Sequence, residues 1–134
     1  MAVTEFGKCL RKMRIDASEV LGTMAGRLGV SSAYLSSIEN GARAIPDSFV
    51  KKVAQVYGLS EERTRELEEA EAQTRGAVDV DFGGRRTEAN VVKTAVMFAR
   101  DFSRLTERQI AQIEDILRQF EDNPEAETNG SAAV

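Results

Sequence analysis

The sequence predicts an all-α chain. Three observations carry this. Apolar residues recur at three- and four-residue intervals along most of its 134 residues. Capping residues and glycines stand at the ends of those runs. The prolines, Pro46 and Pro124, leave nearly the whole chain free to be helical.

Five short helices are expected in residues 1–75. Phe6, Leu10 and Met13 form one face of the first, with Cys9 beside them and Thr4 as N-cap. The second runs from about Leu21 to Leu28 and stops at Gly29, a residue suited to left-handed backbone. Ser31 or Ser32 caps the third, which turns Leu35 and Ile38 inward and ends at Asn40-Gly41. Pro46 is expected as a first-turn residue of the fourth, whose inner stripe is Phe49, Val50, Val53, Ala54 and Tyr57. Ser60 caps the fifth, Glu61 to Gln73, with Leu67 as its apolar anchor.

Residues 76–86 change character. Val78, Val80 and Phe82 alternate with polar residues, the pattern of a linker or a short strand. Residues 87–121 hold two further stripes, Val91–Ala95–Phe98–Phe102–Leu105 and Ile110–Ile113–Leu117–Phe120. Thr106 and Gln109 form a capping box between them, and the short break predicts an antiparallel hairpin. Residues 122–134 are polar and small, the composition of a disordered tail.

Composition narrows the function. Apolar residues are 42% and charged residues 30%, a soluble globular mix with no run long enough to span a membrane. The first residues lack a signal core, so a cytoplasmic location is expected. There is no histidine and a lone cysteine, which removes the commonest general base, the commonest metal ligand and any internal disulfide. No catalytic residue, cofactor or metal is expected, and the acidic run Glu61 to Glu71 reads as solvated surface. Cys9 lies on an apolar face, where a small core residue is the simpler reading than a redox sensor. The net charge of −4 argues weakly against nucleic acid, but up to Gly58 basic residues outnumber acidic ones by three.

Residues Leu21 to Glu39, LGTMAGRLGVSSAYLSSIE, are the most informative. Two helices crossing over a tight turn need a small residue at the crossing, a residue tolerant of positive φ, and apolar residues on the second helix. Ala25, Gly29, and Leu35 with Ile38 meet these demands; taken alone, that pattern would also fit an ordinary helical hairpin. With LGVSSAYLSSIENG, Leu10, the spacing from Arg14 to Leu21, and Pro46 before a helix ending at Gly58-Leu59-Ser60, the chain resembles XRE-type, or lambda-repressor-like, helix-turn-helix domains over roughly residues 5–75.

That resemblance implies a five-helix lambda-repressor-like domain whose third helix enters the DNA major groove. Carried over position by position, it implies base readers at Ser31, Ser32, Ala33 and Ser37, with Tyr34 and Ser36 on or beside the same face. Tyr34 would meet a phosphate or a thymine methyl, or pack on its neighbours. Asn40 and Arg43 match positions near the sugar-phosphate backbone, Arg43 also within reach of a minor groove. Arg14 and Glu39 match an internal salt bridge, while Arg27, Lys51 and Lys52 are weaker phosphate candidates. The chain departs from the family pattern in two ways. Leu21 stands where a phosphate-binding Gln is common, and the reading face has no Arg or Gln, so bidentate base contacts are absent. The resemblance further implies a dimer acting as a repressor on palindromic operator DNA. The two apolar stripes of residues 87–121 expose more than a hairpin can hide, which predicts a homodimer built mainly by residues 78–120, docking on the first domain being the other way to cover them. The alternative is an antitoxin that binds its own operator and neutralises a toxin protein.

Overall fold

Thr4 is extended, and its hydroxyl accepts the N–H of Gly7, so the chain enters a helix at Glu5. This helix, α1 (Glu5–Asp16), is the first of seven α-helices in the computed structural model, which describes residues 2–122. No strand occurs among those residues. The all-α expectation holds.

The capping signals are used as the sequence predicts. α2 (Leu21–Leu28) stops where Gly29 turns to φ +72°, and the N–H groups of Gly29 and Val30 fold back onto the carbonyls of Gly26 and Ala25. α3 (Ser32–Glu39) is capped by the Ser31 hydroxyl, which accepts the Tyr34 N–H at 3.1 Å. α5 (Glu61–Arg75) is capped by Ser60 and runs two residues past the expected Gln73, to a left-handed Gly76. α4 (Phe49–Tyr57) corrects one expectation. Pro46 does not open it; its carbonyl accepts the Phe49 N–H in the turn ahead of the helix. Ser48, at φ +64°, lies between them, and a left-handed residue cannot continue a right-handed helix.

These five helices enclose one core. Phe6 and Leu10 of α1, Met24 and Leu28 of α2, Leu35 and Ile38 of α3, Val53 of α4 and Leu67 of α5 are fully out of water. Each such side chain stabilises the fold by about 1.5–3 kcal/mol relative to exposure. The Phe6 ring meets Phe49 edge-on at 6.0 Å. In the expected α4 stripe, Phe49, Val50 and Val53 are buried, while Ala54 and Tyr57 lie at the rim. Cys9 is half-buried against this core, and burial pushes its thiol pKa up. α1 packs on α5 and α3, and α2 on α3 and α4.

The chain divides into two units, residues 1–79 and 80–134. Residues 77–82 form neither helix nor strand, and turns follow at 83–84 and 86–87. The second unit contains α6 (Ala89–Asp101), a short 3-10 helix (Phe102–Arg104) and α7 (Glu107–Asp122). Thr106 and Gln109 form the reciprocal capping box, with backbone N–H to side-chain distances of 2.9 and 3.2 Å. Both helices of the expected hairpin are present, and Val91, Ala95, Leu105, Ile110 and Ile113 of its stripes are half-buried. α6 packs on the 3-10 helix, through Phe98 and Phe102 at 5.1 Å. No residue of α6 is buried, and Ile116, Leu117 and Phe120 of α7 are more than half exposed. The polar tail expected at 122–134 lies, from residue 123 on, outside the described residues.

Candidate nucleic-acid interface

The geometry begins at the crossing of α2 and α3. Ala25 is buried there, above Met24 and Leu28, and its small side chain lets the two helices meet. At the open end of the crossing, a Cβ placed on Gly22 would lie 3.6 Å from the Ser32 hydroxyl, so Ser32 sits against the start of α2. The turn at Gly29 then aims the N-terminal half of α3 outward.

Ser31, Ser32 and Ala33 are exposed, and Tyr34, Ser36 and Ser37 are half-buried. The serine hydroxyls are not equivalent. Ser31 accepts a backbone N–H as cap and keeps its proton for another acceptor. Ser37 donates to the Tyr34 carbonyl at 2.6 Å and keeps lone pairs for another donor. Beyond the helix, the Asn40 side-chain oxygen accepts the Ala42 N–H at 3.0 Å, shaping the turn through Gly41 at φ +80°. Arg43 is exposed. Its N–H donates to the Ser37 carbonyl at 3.0 Å, and its guanidinium lies over the Tyr34 ring, 4.9 Å from the centroid. The eight residues named from the sequence therefore occupy α3, its cap and the turn that follows.

α3 is braced from behind. Arg14 and Glu39, 8% and 2% exposed, form a bidentate ion pair, one arm at 3.0 Å. Arg14 also points an N–H at the Met24 sulfur, and Arg11 approaches the same carboxylate at 3.6 Å. The backbone carbonyl of Glu39 accepts both the N–H and the hydroxyl of Thr4, at 3.0 and 2.9 Å.

A family of helix-turn-helix domains matches residues 5–67. This stretch is a helix-turn-helix domain. No curated protein and no solved structure matches the chain. Among the described residues, no helix is long and apolar enough to cross a membrane.

Sequence reasoning misses three features of this helix-turn-helix domain. The first is Gly7. A Cβ there would come within 2.2 Å of the Glu39 carbonyl oxygen, so only glycine lets α1 approach the end of α3. The available signal was a glycine inside the apolar face of a helix. The second is Arg27, read as a phosphate candidate. Its guanidinium donates to Glu19 at 2.6 Å and to the Val56 carbonyl at 3.1 Å, and it lies 3.9 Å from the Tyr57 ring centroid. It is committed to holding α2 against α4. Burial and a 2.7 Å hydrogen bond to Glu19 push the Tyr57 pKa up to about 12, and the same bond holds Glu19 below the usual carboxylate range. The third is an open groove of about 410 Å³ beside α3, whose lining includes Tyr34, Ser48, Lys51 and Lys52.

Proposed function

We propose that this chain is a DNA-binding transcription regulator of the XRE type, acting in the cytoplasm as a homodimeric repressor on a two-fold operator. The observation that carries this is the recognition helix itself: an outward face of short polar residues, locked from behind by the buried Arg14–Glu39 pair. A rigid helix with an uncommitted polar face is what major-groove docking requires. In this reading Ser31, Ser32, Ala33 and Ser37 meet base edges, with Ser36 and Tyr34 on or beside the same face, while Asn40 and Arg43 meet the backbone. No side chain on that face makes a bidentate base contact, so specificity comes from several single contacts and from DNA shape.

The homodimer is supported by α6 and α7. With the 3-10 helix between them they expose Val96, Met97, Phe98, Phe102, Leu117 and Phe120, more than a monomeric surface ordinarily shows. A second copy would place two recognition helices about 34 Å apart, in successive major grooves. The test is selection of a randomised duplex library with the full chain, followed by competition binding. The expected result is enrichment of two-fold symmetric sites, with each single-base change costing about 1–3 kcal/mol. Equal competition by any duplex would remove the reading. Stoichiometric capture of a small toxin protein on the exposed helices would establish the antitoxin alternative.

A further inference from the structure

We propose that Tyr34 is a positioning residue: its ring holds the Arg43 guanidinium at the α4-side edge of the recognition helix, where it meets a DNA phosphate. This rests on the DNA-binding reading above and names how one of its backbone contacts is built.

Both ends of the pair are fixed. Tyr34 lies in the first turn of α3, its N–H held by Ser31 and its carbonyl by Ser37. Its ring is half-buried against the rim of the core. Arg43 follows the turn shaped by Asn40, and its backbone N–H is tied to the Ser37 carbonyl, one helical turn above Tyr34. The side chain then returns over the ring rather than extending into solvent. Among the described residues no carboxylate pairs with it, so its N–H groups remain available to an oxyanion.

The surroundings favour a phosphate over a base edge. Tyr34 also lines the groove that holds Lys51 and Lys52, and Lys52 reaches within 3.9 Å of the Cβ position on Gly29. Tyr34 thus carries Arg43 on its ring and shares a groove with Lys51 and Lys52, cations of the kind that follow a strand backbone. An exposed Arg loses side-chain freedom when it grips a phosphate. Stacking removes part of that freedom in advance, so an uncharged ring contributes to an ionic contact.

The readout is the slope of log affinity against log salt, which counts ionic contacts. The probe is a duplex of about 20 base pairs recovered from the library selection, bound by the full chain. Arg43→Ala is expected to reduce the slope by about 0.9. Tyr34→Leu, which removes no charge, is expected to reduce it by the same amount and to weaken binding roughly two- to fivefold. The double variant should show no further loss of slope, and Tyr34→Phe should restore it. Tyr34→Met makes the same measurement if the leucine variant unfolds. An unchanged slope in Tyr34→Leu overturns the proposal, as does additivity in the double variant. So does a phenylalanine variant that behaves like leucine, since the contact would then be the Tyr34 hydroxyl's own. A wild-type chain that binds the selected duplex no better than a scrambled one defeats the DNA-binding reading itself, a separate outcome.

Discussion

In the helix-turn-helix domain, Leu10, Met24, Leu35 and Leu67 come from four different helices and all lie out of water. In the second unit, Phe98, Phe102, Leu117 and Phe120 are each at least 40% exposed. The polar contacts differ in the same way. Arg14–Glu39, Arg27–Glu19 and Arg63–Asp16 each join residues of different segments of the first unit. In the second, Arg85–Glu88, Arg104–Asp101 and Arg118–Glu114 join residues three or four apart. The first region buries its apolar faces in one core; among the described residues the second leaves much of its apolar surface in water. Periodicity is equally strong in both, so an amphipathic stripe establishes a helix but not what covers it.

That contrast is sharpest at the buried ion pair. Arg14→Ala is expected to cost about 3–5 kcal/mol, because Glu39 would keep a buried charge without its main partner. Thermal unfolding should show a large fall in the midpoint, much of it recovered when Glu39→Leu is added to Arg14→Met. An unchanged midpoint with lost DNA binding would make Arg14 a DNA contact instead. Gly7→Ala comes next, at about 3 kcal/mol, since the new methyl group would overlap the backbone at Glu39 and a backbone atom cannot step aside. A midpoint within about a degree of wild type would show that α1 can slide away from α3.

Leu117→Glu tests the second region. If a second copy covers α7, the substitution should weaken dimerisation by about 2 kcal/mol, roughly thirtyfold, as read by light scattering across a dilution series. The first domain should melt unchanged. A wild-type chain that is monomeric at micromolar concentration would leave the comparison standing and remove the dimer. The smallest effect concerns pH. Glu19 has its pKa lowered, chiefly by the Tyr57 hydrogen bond, so its contribution is present above the ordinary value near 4.5 and is lost as pH falls through the lowered value. In denaturant titrations Glu19→Gln should therefore be weaker than wild type at neutral pH and converge with it in acid. Glu88→Gln, which loses only a local exposed pair, should track wild type more closely throughout.

Much of the first domain was legible because its signals are local. Thr4, Ser31, Ser60, Gly29 and the Thr106–Gln109 box need only their near neighbours, and each acts as expected. Arg14 and Glu39 could be paired from afar because the family resemblance placed both. The rest depends on which elements meet. Gly7 is required only because α3 ends beside it, and Arg27 is occupied only because α4 brings Tyr57 and Val56 to it. The start of α4 shifted because the left-handed Ser48 follows Pro46, a backbone choice that a serine does not announce.

The double use of the Glu39 carbonyl by Thr4 has a consequence on the timescale of amide exchange. Helix ends normally fray, and their backbone protons leave through small local openings. Here the last turn of α3 is tied to the start of α1 by two hydrogen bonds, and the Glu39 side chain is tied to Arg14 further along the same helix. Releasing that end means separating α1 from α3, which amounts to unfolding the domain. The amides of Leu35, Ile38 and Glu39 should then exchange at the rate of global opening even without DNA, and a bound duplex could slow them only by stabilising the whole domain. The extra, local slowing on binding would register in the turn after the helix, where the Ala42 N–H is held by the Asn40 side chain and the Arg43 N–H by the Ser37 carbonyl.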